Sequence, residues 1–414
     1  MLTCPATLRS GVALLAAISF LSLVAATPAP TPTASPSPCA ASLQGAINAT
    51  PTGGTLRLGA CTFHEAVTVS RAMTIGGPAV IDGDNVRASW MTVTASGVTV
   101  DGLTMRNAAA GAAQSGSLSV GAVSGFTLRN AHLSGGSYAD LRLWQGSGYR
   151  VEGSELDTGR ALGIIGWELS DSVITNNRVH ANNTGAGDAG YEAGGIKLGM
   201  ASRVTVSGNE VDANKGPGIW CDVSCGAFTV SGNRVHDNTH QGILFEISTG
   251  ASITGNAVWE NGWSFTAWGW GGGIVVSSSG SVDVTGNTVA WNADGIAVIS
   301  QSRPGSPAAT SNRVRDNVVA LAPQPGDGSD KMAVAWLQDW SGVLFSSPSN
   351  VGSGNDYWAS IAEPQWARFG WNGAISTLGS FNATPGEEGG AYLTQSALAA
   401  DLANAGIPAS PKAH

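Results

Sequence analysis

Three residues able to do acid–base chemistry lie in three similar segments: Lys197 in GGIKLG, Asp222 in PGIWCD and Glu246 in QGILFE. Two later segments, GGIVVS and DGIAVI, continue the series without gaps. If the segments are adjacent parallel strands, Asp222 lies directly beside Glu246 at about 5 Å, with Lys197 one strand away. Only 12% of the residues are charged, so this grouping favours a functional site. The alignment predicts a reactive group on an outward, exposed face of a sheet.

Two carboxylates this close repel each other, so either one holds a proton or a cation lies between them. In a glycoside hydrolase, one of Asp222 and Glu246 would protonate the leaving oxygen and the other would act as nucleophile or base. In a lyase, Lys197 would remove the proton next to a uronate carboxylate, which a cation held by Asp222, Glu246 and Glu192 would neutralise. Asp188 could join that cation from the preceding loop. The residues alone leave both mechanisms open.

Tryptophans are concentrated near the carboxylates, and several fall in the stretch NGWSFTAWGWGG. This stretch makes the interval between Gly242 and Gly273 longer than the two intervals before it. Inserted loops of solenoid proteins usually lie on the binding face, and indole rings offer flat apolar surfaces to sugars. We therefore predict that substrate is bound by Trp220, Trp263, Trp268 and Trp270.

The elements that must position these side chains are copies of one repeat. The copies between residues 172 and 317 are SVITNNRVHANN, RVTVSGNEVDAN, AFTVSGNRVHDN, ASITGNAVWEN, SVDVTGNTVAWN and ATSNRVRDN. Each copy is too short to bury its own apolar side, so the copies must stack, with their strands forming long parallel sheets around one core. This predicts an all-β parallel β-helix, a solenoid.

Each copy also carries two asparagines, which we assign to structural columns at the bends between sheets. The first column is predicted to contain Asn177, Asn209, Asn233, Asn256, Asn287 and Asn312, and the second Asn182, Asn214, Asn238, Asn261, Asn292 and Asn317. His180, His236 and His240 fall in the same bends. We assign structural roles to these histidines as well.

The repeat GNxVxxNxxxGI, with the upstream opening GGTLRL, resembles the parallel β-helix repeat of the pectate-lyase-like superfamily over roughly residues 40–320. EAGGIKL, GIWCD, GILFEIS and GGIVVSSS look like motifs of bacterial right-handed β-helix repeat proteins. The resemblance implies a right-handed helix, and its relatives include polysaccharide lyases, galacturonan hydrolases, epimerases and non-catalytic surface proteins. Its lyases often use Lys or Arg with calcium, which implies Ca²⁺ at Glu192, Asp222 and Glu246. The NTD, GHG and RIK signatures of its hydrolases do not occur in this sequence.

The two ends of the chain carry segments of other kinds. Arg9 is the only charge before an apolar run at 11–25, which indicates a signal peptide over 1–26. The Pro-rich residues 27–38 are typical of a linker. We expect a β-helix domain with an N-terminal cap at 39–318, and C-terminal coils with a capping helix at 319–414. The protein is thus predicted to be secreted, without a membrane anchor.

Four cysteines remain after the predicted signal peptide. Because exported thiols usually oxidise, we expect the disulfides Cys39–Cys61 and Cys221–Cys225. A metal site at Cys221 and Cys225 is disfavoured, since no second thiol pair accompanies them.

Composition narrows the function further. The 57 glycines suit many short strands and tight turns, and a net charge of −9 without clustered Lys or Arg argues against nucleic acid as a partner. We expect a monomer that acts on a polysaccharide as a uronan lyase or a glycoside hydrolase, with a slight preference for the lyase. The alternative is a non-catalytic glycan-binding or surface protein.

Overall fold

The computed structural model describes residues 39–265, 267–301, 303–322, 331–339, 349–361, 363 and 368–414. The predicted signal peptide (1–26) and linker (27–38) lie outside the described residues. Most coils contribute three short strands. Equivalent strands of successive coils lie side by side and form three faces of the solenoid, which we call the first, second and third face in their order along the coil. In the coil of Lys197 these strands are Gly194–Gly199, Ser202–Ser207 and Glu210–Asp212.

The strands up to this coil are Thr55–Arg57 (β1), Thr62–Phe63 (β2), Val67–Val69 (β3), Thr74–Gly76 (β4), Val80–Asp82 (β5), Met91–Val93 (β6), Thr99–Asp101 (β7), Thr104–Arg106 (β8), Gly116–Gly121 (β9), Thr127–Arg129 (β10), His132–Ser134 (β11), Ala139–Ser147 (β12), Arg150–Glu152 (β13), Glu155–Asp157 (β14), Leu162–Thr175 (β15) and Arg178–His180 (β16). The middle strands are Gly194–Gly199 (β17), Ser202–Ser207 (β18), Glu210–Asp212 (β19), Ile219–Asp222 (β20), Gly226–Ser231 (β21), Arg234–His236 (β22), Ile243–Glu246 (β23), Thr249–Thr254 (β24), Ala257–Trp259 (β25), Gly272–Ser277 (β26), Gly280–Thr285 (β27) and Thr288–Ala290 (β28). The last strands are Asp294–Gln301 (β29), Arg313–Arg315 (β30), Val318–Leu321 (β31), Val334–Asp339 (β32), Val351–Ser353 (β33), Asp356–Ala359 (β34), Phe369–Trp371 (β35), Ala374–Ser376 (β36) and Ala391–Tyr392 (β37).

Strands of one face pair in parallel from coil to coil, which confirms the predicted parallel β-helix. On the first face, β17, β20, β23, β26 and β29 align Ile196, Ile219, Ile243, Ile274 and Ile296. These side chains are no more than 1% exposed and belong to one continuous apolar core. Burial of each such side chain contributes about 1.5–3 kcal/mol. A slip of one residue would turn the set outward, so the apolar pattern fixes the register.

The asparagine columns form as buried ladders in which each side-chain amide donates to the next asparagine, as from Asn233 to Asn256 at 3.0 Å. The assignment of the last asparagine pair, Asn312 and Asn317, to the two columns is wrong. The Asn287 amide donates to Asn317 at 2.9 Å, whereas Asn312 donates its backbone N–H to Asn350. The cause is that β30 pairs with β27 on the second face, so Asn317 rather than Asn312 follows the second-face strand. Two asparagines five residues apart fit the repeat in either phase.

Helices close or flank the solenoid. Helix α1 (Leu43–Ala49) buries Leu43 and Ile47 in the core at the N-terminal end, and α2 (Leu378–Phe381) buries both of its terminal residues in the core at the other end. Helix α3 (Gln395–Ala405) begins after its N-cap residue Thr394 and packs on the third face, where its leucines belong to the same apolar cluster as Trp259 and Trp291. None of the helices formed by the described residues is long and apolar enough to span a membrane.

Both predicted disulfides are confirmed. Cys39–Cys61 ties the residues before α1 to the start of the solenoid, and Cys221–Cys225 closes a short loop in the coil of Asp222. The second bridge therefore fixes the backbone on both sides of a predicted site residue.

Candidate functional site

The strand register brings the predicted catalytic residues together. Lys197 pairs with Trp220 on the next strand, and Asp222 pairs directly with Glu246. The alignment of β17, β20 and β23 without gaps is therefore correct. Parallel strands are about 4.8 Å apart, so the two carboxylate-bearing residues are immediate neighbours along the solenoid.

The outward side chains of the first face are less exposed than the sequence predicted. Lys197, Trp220 and Leu244 are 6%, 3% and 5% exposed. Trp220 and Leu244 belong to a second apolar cluster, outside the main core, against which Trp268 and Trp270 pack. The insertion after β25 thus folds back over the first face, because outward apolar residues there provide a surface to bury. Only part of the face remains accessible to a ligand.

Lys197 is held on three sides by the protein. Its Nζ lies 3.0 Å from Asp222 Oδ2, donates a hydrogen bond to the Tyr191 carbonyl, and lies 3.4 Å from the ring centre of Trp220. A carboxylate, a carbonyl and an aromatic face are all partners of an ammonium group. This arrangement gives Lys197 a structural role beneath the site and makes it a poor candidate for the base of a lyase.

Glu246 is paired with a residue that the sequence analysis missed. Arg303 Nη1 donates to Glu246 Oε2 at 2.8 Å. Burial raises the pKa of Glu246, the neighbouring charge of Asp222 raises it further, and the positive charges of Arg303 and Lys197 oppose these effects. The predicted carboxylate pair is therefore divided between two cations, with Asp222 on Lys197 and Glu246 on Arg303.

The predicted calcium site is not assembled. Glu192 accepts hydrogen bonds from Tyr138 Oη at 2.7 Å and from Gln114 Nε2 at 3.1 Å, while Asp222 and Glu246 bind cationic side chains. Groups of three potential metal ligands within 4.8 Å occur among the described residues only on the third face and include none of these three. With their oxygens directed to separate protein donors, Glu192, Asp222 and Glu246 do not fit a Ca²⁺ ion.

A pocket of about 270 Å³ opens beside Glu246. It lies between two insertions of the repeat, one before β17 and one before β26. The residues that line it are Ala189, Gly190, Trp220, His240, Gln241, Leu244, Glu246, Phe265, Trp270, Gln301 and Arg303. Aromatic and apolar walls with a few convergent polar groups are typical of small-molecule sites.

His240 lines this pocket, although the sequence analysis assigned it only a structural role. Its ring stacks on Phe265 with 5.2 Å between ring centres, and its Nδ1 lies 3.1 Å from the Thr239 hydroxyl. Burial lowers the pKa of His240, although the charge of Asp188 opposes this. The ordinary pKa of histidine is about 6.5, so His240 is a neutral imidazole at pH 7 and can accept a proton.

The four predicted substrate-binding tryptophans separate into two groups. Trp220 and Trp270 line the pocket. Trp268 packs on the outward apolar cluster instead, and Trp263 stacks on His414 with 4.3 Å between ring centres. Trp263 therefore fastens the C-terminal residues to the insertion. Among the described residues, the indole N–H of Trp220 has no hydrogen-bond partner, although it is buried.

His240 and Arg303, the two pocket residues that were not predicted, differ in how readily the sequence could have indicated them. His240 lies six residues before Glu246, so its position beside the strand of Glu246 could have been noticed. Arg303 follows β29, two strands beyond β23 on the first face, and lies outside every aligned column. Only the conformation of the loop after β29 brings its guanidinium back to Glu246.

Comparisons with known proteins agree with this architecture. The family described as "Right handed beta helix region" matches residues 116–289. The periplasmic alginate epimerase AlgG superposes with a TM-score of 0.53 and 14% identity over 85% of this chain and 83% of its own. The A-module of the mannuronan C-5 epimerase AlgE4 from Azotobacter vinelandii superposes with a TM-score of 0.54 and 14% identity, over 78% of this chain and 93% of its own. No curated protein matches the sequence. The chain is a right-handed parallel β-helix repeat protein, and similarity at this level of identity shows the fold alone.

Proposed function

We propose that this protein is a polysaccharide lyase whose pocket binds one uronate residue of a glycan. The observation that carries the proposal is that a neutral imidazole, His240, and a guanidinium, Arg303, line the same aromatic pocket. A base and a fixed cation are the two groups required to remove a proton next to a carboxylate. The two structurally similar epimerases act on alginate and mannuronan by their descriptions, which supports a carbohydrate as the substrate.

The pocket walls suit a sugar ring. Trp220, Phe265 and Trp270 provide apolar surfaces for its C–H groups. The indole N–H of Trp220 lacks a partner among the described residues, and leaving a buried donor unpaired costs about 1–3 kcal/mol. This N–H is shielded from solvent, so the contribution of Trp220 to sugar binding is that of its apolar ring.

The chemistry follows from the two polar groups. Arg303 uses Nη1 for Glu246, and its other nitrogens have no hydrogen bonds to side chains of the described residues, so they can hold the uronate carboxylate. His240 then accepts the C5 proton, and the electron pair forms the C4–C5 double bond as the C4–O4 bond breaks. The imidazolium returns the proton to the leaving oxygen. The products are a shortened chain and an unsaturated uronate end, and no water is consumed.

Glu246 and Asp222 act as positioning residues in this scheme. Glu246 orients Arg303, and Asp222 neutralises Lys197 beneath Trp220. A glycoside hydrolase would need two carboxyl groups directed at the substrate, and among the described residues that line the pocket Glu246 is the only acid. The geometry therefore favours the lyase over the hydrolase.

The test is incubation of the purified protein with alginate, polygalacturonate and glucuronoxylan, followed by ultraviolet absorbance of unsaturated ends. Wild-type protein should produce them from at least one glycan, and His240→Ala and Arg303→Ala should not. A change in sugar configuration by NMR without new chain ends would instead identify an epimerase, in which the proton returns to the opposite face. Binding without any product would identify a glycan-binding protein and overturn the enzymatic proposal.

We further propose that the protein acts outside the cytoplasm. Its two disulfides require an oxidising compartment, and residues 1–26 have the pattern of a secretory signal. Detection of the protein in the cytoplasmic fraction with free thiols would contradict this.

A further inference from the structure

Two tryptophans lie on the first face on the N-terminal side of the pocket. Trp144 in β12 pairs with Trp167 in β15, and Trp167 pairs with Gly199 in β17. Gly199 in turn pairs with Asp222, and Asp222 with Glu246. All five residues therefore form one outward row along the solenoid. At about 4.8 Å per strand, Trp167 lies roughly 14 Å and Trp144 roughly 19 Å from Glu246.

The ring of Trp167 rests on the backbone of the next strand. A side-chain carbon added at Gly199 would lie 2.0 Å from Cζ3 of Trp167, so the ring occupies the outward space that a side chain at residue 199 would fill. The atoms of Trp167 nearest to this position are Cζ3, Cε3 and Cη2, so the six-membered ring of the indole lies over Gly199. Trp167 is partly exposed, in contrast to the buried Gly199 beneath it.

Trp144 extends this aromatic surface. Its ring centre lies 6.2 Å from that of Trp167, and the two planes differ by 23°. The guanidinium of Arg142 lies 4.2 Å from the Trp144 ring centre and also contacts the Ser119 hydroxyl at 3.3 Å. The result is a partly exposed platform of two indoles, with the Arg142 guanidinium over the Trp144 ring as a hydrogen-bond donor, which is a combination suited to sugar rings.

The two ends of the first face differ in how far their outward aromatic residues are covered. Around Trp220 and Leu244, the insertion with Trp268 and Trp270 covers the outward apolar residues. Around Trp144 and Trp167, by contrast, both rings stay partly exposed. The row leads from this platform directly to the strand of Glu246, whose carboxylate lines the pocket.

We propose that Trp144 and Trp167 form a second glycan-binding subsite, which holds sugar residues of the same chain whose uronate occupies the pocket. This inference rests on the proposed function, because it requires that the pocket takes a sugar residue. The ligand is thus a linear polysaccharide that runs along the first face toward its N-terminal end. Short fragments that fill only the pocket do not reach the platform.

The experiment compares the double variant Trp144→Ala/Trp167→Ala with wild-type protein on a long and a short form of the glycan that is cleaved. We expect KM for the polymer to rise about tenfold or more, as for the loss of aromatic contacts, with kcat unchanged and with no change on the shortest cleaved oligosaccharide. Trp358→Ala is the matched control, since Trp358 is also partly buried and lies 5.7 Å from another tryptophan ring, on the third face. In Trp167→Leu the side chain at residue 167 stays apolar and can still cover Gly199. This variant therefore tests the contribution of the flat aromatic ring by itself.

Binding is measured separately from catalysis, with the inactive variant His240→Ala and the same three polysaccharides by calorimetry. If the polymer binds but no product forms with wild-type protein, the proposed lyase activity fails, and loss of binding in the tryptophan variants still supports the platform. If product forms and the tryptophan variants keep the wild-type KM for the polymer, the platform is refuted and the lyase stands. Equal losses on long and short substrates also refute it, and absence of binding to every polysaccharide refutes both.

Discussion

The third face carries its charges in a regular alternation, whereas the first face carries them irregularly. Along the third face, one row of aligned residues reads His132, Glu155, Arg178, Glu210 and Arg234. The first four of these side chains each contact an acidic or basic partner one strand away, in the pairs His132–Asp157, His180–Glu155, Arg178–Asp212 and His236–Glu210. Arg234 instead donates to the carbonyls of Ala405 and Gly406. In each of the two groups of potential metal ligands, the histidine contacts one carboxylate of the group, while the other carboxylate contacts a residue outside it, His180 for Glu155 and Arg178 for Asp212.

The first face leaves bonding capacity unused. The indole N–H of Trp220 has no partner among the described residues, His240 is kept neutral by burial, and Arg303 uses only one nitrogen on a side chain. Both long insertions of the repeat also end at this pocket. The difference teaches that in this solenoid regular charged rows stabilise the stack, whereas the polar groups available to a ligand, His240 and Arg303, lie in the segments between strands.

The largest effect is expected from variants that remove the reactive groups of the first face. His240→Ala and Arg303→Ala should each lower kcat/KM on the cleaved glycan by about 10²–10⁴-fold, the usual contribution of a general base or fixed charge. His236→Ala, which removes a third-face histidine that also stacks on an aromatic ring, should leave kcat/KM unchanged. If kcat/KM fell equally in all three variants, the proposed functional difference between the first and third faces would be wrong.

The pH dependence sharpens the same comparison. Since burial lowers the pKa of His240, the imidazole loses its proton at a lower pH than an ordinary histidine does. The value of kcat/KM should therefore rise from acidic pH with a midpoint below about pH 6.5. A plateau reached only in alkaline solution would favour a lysine as the base.

The next largest effect concerns the free energy of unfolding and is expected from a substitution in the buried asparagine ladder. Asn238 donates to the Val211 carbonyl and to Asn261, and accepts from Asn214. Asn238→Ala should lower the free energy of unfolding by about 2–4 kcal/mol, measured by urea denaturation. The exposed control Asn404→Ala should change it by less than about 0.5 kcal/mol. A neutral Asn238→Ala would mean that the ladder does not stabilise the stack.

Asp140 tests whether every unsatisfied group on the first face is functional. It is fully buried in β12, Oδ1 accepts the Gly136 N–H, and Oδ2 has no partner among the described residues. Burial raises the pKa of Asp140 well above its usual value, so the folded protein favours the protonated carboxyl and loses stability as pH rises through that pKa. Asp140→Asn should therefore be more stable than wild-type protein at neutral pH, with the gain disappearing in acid.

Asp157→Asn is the control of opposite sign. Although burial acts to raise it, hydrogen bonds from His132, Ser134 and Thr158 hold the pKa of Asp157 below its usual value. This residue stabilises the fold above its unfolded pKa, and that stability is lost as pH falls. Its replacement should destabilise the protein at neutral pH. If both variants shift the melting temperature in the same direction, the assigned protonation of Asp140 is wrong.

The smallest effect is expected from a single charge on the third face. Arg178 binds both carboxylate oxygens of Asp212 at 3.2 and 3.1 Å, but its side chain is 49% exposed. Arg178→Ala should lower the free energy of unfolding by less than about 1 kcal/mol and leave activity intact. A tenfold loss of activity would show that the third face takes part in function.

The sequence predicted the core and the strand neighbours well, because both depend on alternation of apolar residues. Ile196, Ile219 and Ile243 align as expected, and Asp222 lies beside Glu246. It predicted exposure poorly. Lys197 and Trp220 were expected to face solvent, but the outward position in a strand says nothing about a loop that later folds over it. The assignment of Trp263 to the site failed for a similar reason, since it stacks on His414, far away in the sequence.

By itself, the sequence determined that successive coils stack in parallel and, where the repeat is regular, which residues become neighbours on adjacent strands, because a slip of one residue would turn the apolar side chains outward. Tertiary structure alone decided which side chains form the pocket. Arg303 reaches Glu246 from a loop two strands away, and the insertion before β26 buries part of the face it crosses. Loops of this kind have no period, so their conformation depends on packing against the finished solenoid.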